Sequence, residues 1–209
     1  MKVNEIFLSI QGEGINTGYP TVFVRFTGCN LRCSYCDTKY AYNDGVEMSL
    51  DEIISKIQVF PYERVCVTGG EPLLQPDLND LLERLSDYEV SIETNGSLDI
   101  SKITVGEKHH FVMDLKCPSS GFSEKMLFSN YDILSQKDEV KIVVGSKEDY
   151  IWAKSILQKV YKKGIISFSP VWGKLNPSQL ATWIIDDRID ARFQIQLHKV
   201  IWGEGKRGV

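Results

Sequence analysis

The stretch Thr21-Val22-Phe23-Val24-Arg25-Phe26-Thr27-Gly28-Cys29-Asn30-Leu31-Arg32-Cys33-Ser34-Tyr35-Cys36-Asp37-Thr38 decides how this chain is read. Apart from Arg25, its first six residues are β-branched or aromatic, the composition of a strand. That strand runs straight into three of the chain's five cysteines, spaced C-x3-C-x2-C. Closely spaced thiolates are a recurring way of holding an iron–sulfur cluster. Three of them hold three irons of a four-iron cluster and leave the fourth without a protein ligand. Catalytic metal centres keep such an open position, whereas structural sites close it. A structural zinc site would need a fourth ligand, and no second cysteine pair or paired histidine motif follows. A disulfide framework belongs to short secreted chains, and no apolar signal segment opens this sequence.

Composition narrows the class. With 209 residues and 43% hydrophobic content, one sizeable core and a single domain over 1–209 are expected. Acids outnumber bases 28 to 24, giving a net charge of −4. Nucleic-acid binders carry a basic excess to displace counterions from phosphate, so a small-molecule partner is favoured over nucleic acid. No run is apolar enough over enough length to span a bilayer, so no membrane partner and a soluble, cytoplasmic protein are expected. No repeat or low-complexity tract divides the chain.

Outward from the cysteines, residues 3–10 form a strand-like run that breaks at Gln11-Gly12-Glu13-Gly14, a loop. Arg25, near the end of its strand, reads either as an exposed-face residue or as a bidentate donor to a carboxylate. Ser49-Leu50-Asp51-Glu52 has the capping-box form and predicts a helix through Ile57. Residues 64–68 read as a buried strand with Cys66 in the core, ended by Gly69-Gly70-Glu71-Pro72. A second helix carries Leu78, Leu81, Leu82 and Leu85. Strands follow at 89–92, 111–115, 139–144, 165–168 and 192–197. Ser146 caps a long helix carrying Trp152, Ile156, Leu157 and Val160, with Gly164 as its stop. A last helix spans 177–185. His109 and His110 fall on opposite faces of a strand, which argues against paired ligation.

Strands alternating with helices predict parallel βαβ units. Seven strand-like runs from Thr21 onward meet only four helices, and a full eightfold barrel takes about 250 residues. The expected fold is therefore α/β: a partial, open TIM-like barrel of about six parallel strands with few helices. The cysteines, Gly69-Gly70-Glu71, Glu93-Thr94-Asn95, Lys116 and His198 all lie just past strand ends. In barrels that edge gathers the catalytic groups.

The cysteine spacing after a first barrel strand, with Tyr35 before the last cysteine and Gly69-Gly70-Glu71-Pro72 further on, resembles the radical S-adenosylmethionine (SAM) superfamily. Residues 8–14 (LSIQGEG), 23–31 (FVRFTGCNL), Cys36-Asp37-Thr38, Glu93-Thr94-Asn95-Gly96 and Gln196-Leu197-His198-Lys199 narrow this. Together they resemble the 7-carboxy-7-deazaguanine synthase family over nearly the whole chain. The resemblance implies a lyase that contracts 6-carboxy-5,6,7,8-tetrahydropterin to 7-carboxy-7-deazaguanine with loss of ammonia, a step of queuosine and 7-deazapurine biosynthesis. It implies a [4Fe-4S] cluster on Cys29, Cys33 and Cys36, with SAM chelated to the open iron. Tyr35, Cys36, Asp37, Gly70, Glu71, Ser119 and Ser169 would line the SAM site, with Glu71 accepting from the ammonium group. Ile10, Gln11, Gly12, Glu13, Arg25, Thr68, His198 and Val209 would contact the pterin, and Thr38 would ligate magnesium. The N-terminal segment 1–20 and the C-terminal tail 198–209 would close the site. Flavodoxin or ferredoxin as electron donor and a homodimer are further implications. Two rivals stand beside this reading, a glycyl-radical activase and a non-enzymatic iron–sulfur electron carrier.

Overall fold

A computed structural model describes residues 1–161 and 163–209. Its strands are β1 (Lys2–Ile10), β2 (Pro20–Phe26), β3 (Val46–Glu47), β4 (Arg64–Gly69), β5 (Glu89–Thr94), β6 (His109–Asp114), β7 (Glu139–Val144), β8 (Ile165–Pro170) and β9 (Arg192–Phe193). Its α-helices are α1 (Leu50–Ile57), α2 (Leu78–Arg84), α3 (Asn130–Ile133), α4 (Lys147–Val160), α5 (Pro177–Asp186) and α6 (Leu197–Trp202). The strands form one sheet in the order β3-β1-β2-β4-β5-β6-β7-β8-β9. β1 pairs antiparallel with β2 and β3, and every pairing from β2 to β9 is parallel. Among the described residues the two edges do not pair, so this is the open, partial barrel expected, with six full parallel strands and a two-residue seventh.

The period-2 alternation of strand side chains assigns the two faces different work. Val65 and Val67, Val90 and Ile92, Phe111 and Met113, and Val140 and Ile142 belong to one buried apolar cluster with Ile53, Ile57, Leu78, Leu81 and Leu82 of the helices. The alternate positions carry Thr68, Glu93, Asp114 and Lys141, which line a cavity. The core thus lies outside the barrel wall, under the helices, and the concave face is left polar.

Local signals explain the helix boundaries. At α1 the capping box forms in full, the Ser49 hydroxyl accepting from Glu52 N and the Glu52 carboxylate from Ser49 N. Ser146 caps α4 by accepting from Asp149 N at 3.3 Å. α4 is tied to α5 by the Tyr150 hydroxyl, which donates to Trp183 O or Asp187 Oδ2, each at 2.8 Å. α4 ends at Val160, before Gly164, whose φ of 59° serves the turn into β8 instead. Among the described residues no helix is long and apolar enough to cross a membrane.

One expectation fails. The run 192–197 is a strand only at Arg192–Phe193, and Leu197 and His198 begin α6. Gln194 and Gln196 share the alternation of a strand, but their side chains are drawn into buried hydrogen bonds with the Gln11–Gly14 loop and its surroundings. That pulls the chain off the sheet edge and turns it into a short helix. His198 is therefore a helix residue, although it still reaches the strand-end rim.

Candidate active site

A cavity of about 660 Å³ opens at the C-terminal ends of the parallel strands. Most expected site residues line it: Ile10, Gln11, Gly12, Glu13, Arg25, Cys29, Cys33, Tyr35, Cys36, Asp37, Thr38, Thr68, Gly70, His198 and Val209. Gly203, Glu204, Gly205, Lys206 and Gly208 of the tail line it too. Glu71, Ser119 and Ser169 do not. Ser119 is turned to Asp149, which its hydroxyl and its backbone N–H both engage. Ser169 is buried, its hydroxyl without a partner among the described residues.

The cysteine loop is braced by the loop after β4. Glu71 N donates to Gly28 O at 2.7 Å, and Gly70 N to Phe26 O at 3.1 Å. A Cβ at Gly70 would stand 2.1 Å from Gly28 O and 2.9 Å from the Cys29 Cβ, so only glycine allows this approach. All three thiols are free and share the cavity wall. Among the described residues no three His, Cys, Asp or Glu side chains converge on a single-ion site. Three thiols on one cavity wall are the donor set of a polynuclear cluster that leaves one iron open, whereas a closed zinc site would need a fourth ligand. Thr38 heads the short 3-10 turn Lys39–Tyr42 without spending its hydroxyl on a cap, and Oγ1 lies 3.6 Å from Cys36 Sγ.

Glu71 departs from its expected part. It is fully buried and accepts from Leu73 N (3.1 Å), Asn95 N (2.7 Å) and Thr94 Oγ1 (2.8 Å). Burial pushes its carboxyl up to about 7 in spite of those three donors. In this arrangement Glu71 knits the ends of β4 and β5 together and faces protein donors.

The opposite wall is a ring of alternating charge. Glu13 Oε2 pairs with Lys141 Nζ at 2.7 Å, and Glu13 Oε1 accepts from Gln196 Nε2 at 2.6 Å. Burial alone would raise the Glu13 carboxyl, but Lys141 and His198 reverse this and hold it at about 2. Lys141 also lies 3.7 Å from Asp114 Oδ1, whose other oxygen takes Lys116 at 2.6 Å. Thr68 Oγ1 donates to Glu93 at 2.9 Å, and Gln11 Nε2 reaches the same carboxylate at 3.4 Å. Arg25 spends its Nε on Glu5 at 2.8 Å, which leaves its terminal amino groups for a ligand carboxylate. The Tyr40 hydroxyl donates to the same Glu5 at 3.0 Å, and burial pushes this phenol up to about 12. Leu197 N donates to Gly12 O at 3.0 Å, and a Cβ on Gly12 would meet His198 Nδ1 at 2.1 Å.

Glu5, Asp114, Lys141 and the side chain of Gln196 were not expected at the site. For the three charged residues the signal was present as charges at alternate positions of apolar strands, as in Glu139-Val140-Lys141-Ile142-Val143-Val144. Without knowing which face was concave, that pattern reads as a solvated edge.

An open parallel barrel with a three-cysteine loop braced against a double-glycine turn defines a radical SAM protein, and the radical SAM superfamily is matched over residues 23–126. The fold is shared with the crystal structure of QueE from Escherichia coli, with a TM-score of 0.73 over 94% of each chain at 24% identity. At sequence level the chain is 43% identical to the 7-carboxy-7-deazaguanine synthase of Chlorobaculum tepidum, covering 100% of this chain and 97% of that one. It is 42% identical to the synthase of that name from Clostridium acetobutylicum, over 100% and 99%. The chain belongs to the 7-carboxy-7-deazaguanine synthase family. It is accordingly a radical SAM lyase of 7-deazapurine synthesis, with an iron–sulfur cluster and SAM as cofactors. The activase, electron-carrier and zinc readings fall away.

Proposed function

We propose that this enzyme converts 6-carboxy-5,6,7,8-tetrahydropterin to 7-carboxy-7-deazaguanine with release of ammonia. The observation that carries the reading is the meeting, around one cavity, of the Cys29, Cys33 and Cys36 thiols with Gln11, Glu13, Arg25 and His198. The cysteines would hold the [4Fe-4S] cluster, and SAM bound to it supplies a hydrogen-abstracting radical after one-electron reduction. The chain's own work is positioning and exclusion of water. Arg25 anchors the substrate carboxylate through the amino groups that Glu5 leaves unused. Glu13, kept ionised by Lys141, accepts from pterin N–H groups, and Gln11, Thr68 and His198 complete the rim. Thr38 supplies a hydroxyl to a magnesium ion whose remaining ligands are substrate oxygens and water, in keeping with an ion that retains much of its hydration. Tyr35, Asp37 and Gly70 border SAM, and the tail ending at Val209 covers the mouth. A flavodoxin or ferredoxin delivers the electron, and the working form is a homodimer.

Anaerobic incubation of the reconstituted protein with SAM, dithionite, magnesium and carboxytetrahydropterin tests the reading. 7-Carboxy-7-deazaguanine is the expected product. Accumulation of 5′-deoxyadenosine without any purine-like product would show that the substrate is a different molecule.

A further inference from the structure

Between the two ligand-binding loops lies a buried bridge with no part in the scheme above. Lys199, on α6 directly after His198, is only 7% exposed. Its Nζ pairs with Asp37 Oδ2 at 2.9 Å and donates to Gln196 Oε1 at 2.8 Å. Gln196, also buried, points its amide nitrogen at Glu13 Oε1 (2.6 Å) and at Asp37 Oδ2 (3.3 Å). One primary amide therefore touches a carboxylate on each loop. Asp37 follows the cluster ligand Cys36, and Glu13 stands in the loop between β1 and β2.

The side-chain amide of Gln196 is engaged at both ends. The glutamine oxygen is taken by Lys199, and its two N–H groups serve two carboxylates. A buried lysine is tolerated only when paired, so Lys199 depends on Asp37, whose own side chain is 42% exposed at the cavity mouth. On its far side Glu13 is held by Lys141 at 2.7 Å, so it cannot turn towards a ligand without altering its hold on Gln196. Any movement of Gln196 is felt at Asp37. Both carboxylates line the cavity, where ligands must land.

We propose that Gln196 and Lys199 are positioning residues that couple the two binding loops, so that filling the pterin site raises the affinity of the SAM site, and the reverse. This rests on the assignment of Glu13 to the pterin side and Asp37 to the SAM side. Coupling of this kind is reciprocal, and typical intersite factors run from about 5- to 150-fold.

The test uses the anaerobic holoenzyme with its cluster left oxidised, so that no turnover occurs. SAM affinity is measured by calorimetric titration with and without saturating carboxytetrahydropterin, and pterin affinity with and without SAM. For the wild type each ligand is expected to tighten the other by the same factor, on the order of tenfold. Gln196→Leu and Lys199→Met are expected to bring that factor to about 1, and Lys199→Arg, which keeps a cation beside Asp37, to restore it. General weakening of the fold cancels in a ratio of two affinities of one variant, so a merely structural role would not move this readout. Where Gln196→Leu fails to fold, Gln196→Glu replaces it, because it keeps the shape while turning a donor into an acceptor against two carboxylates. A factor of 1 in the wild type, or an undiminished factor in the variants, overturns the coupling. Absence of pterin binding to the wild type overturns the substrate assignment and this inference with it.

Discussion

At the residue scale, the same physics gives two buried glutamates opposite behaviour. Glu13 has two close donors, one of them a cation, and its carboxyl is held at about 2. A depressed carboxyl contributes stability above its unfolded value and loses it as pH falls towards the folded value. Glu13 is therefore expected to contribute roughly 3 kcal/mol that disappears between about pH 4.5 and 2. Urea unfolding across that range should show the acid-side loss in the wild type and a flatter profile in Glu13→Gln. Glu71, raised to about 7 by burial, works the other way. Its contribution is complete below the unfolded value and is lost as pH rises through 7, so Glu71→Gln should flatten the profile between about pH 4.5 and 7. Arg25 was legible only as either an exposed-face arginine or a donor to some carboxylate, and the structure gives it a carboxylate of the protein. Its use of Glu5 was not legible, because residues on two antiparallel strands meet only once register is known. Arg25→Met should raise the pterin Kd by roughly 10- to 100-fold, the worth of a charged hydrogen bond. Titration of the oxidised holoenzyme measures it.

At the element scale, the local signals that carry a mechanism matched the structure best. The capping box at Ser49 needs only neighbouring residues, and it forms as read. Ser49→Ala should destabilise the protein by about 1 kcal/mol, measured by urea unfolding, with SAM and pterin affinities unaltered. The two glycine positions at the site carry tertiary meaning instead. Gly70→Ala drives a methyl into Gly28 O, which would loosen the cysteine loop and lower the cluster absorbance recovered on reconstitution. The end of the chain was misread for a physical reason. Gln194-Ile195-Gln196-Leu197 alternates as a strand should, yet the alternate glutamines satisfy buried acceptors at long sequence distance, Glu139 for one and Glu13 for the other. Pattern alone does not show that the partners of a polar face will be carboxylates rather than water.

On the scale of the whole molecule, the open barrel and its strand-end site were readable because the spacing of strands and glycines sets chain direction and because the cysteines name their chemistry. The alternating charges were not, since they join residues from the loop after β1 to the start of α6 that only the curvature of the open sheet brings together. What the finished fold adds is a division of labour across each parallel strand. Odd and even positions of a strand answer to different demands, one to the helices behind it and one to the ligand before it. Sequence change can therefore proceed in two nearly independent channels. A library varied at Thr68 and Glu93 would change the ligand-facing surface with the apolar core intact, whereas Asp114 and Lys141 would have to vary together with their buried ion-pair partners. One varied at Val67, Ile92, Met113 and Ile142 would mostly explore ways to unfold. The same strands thus give this architecture room to acquire new chemistry without first losing its shape.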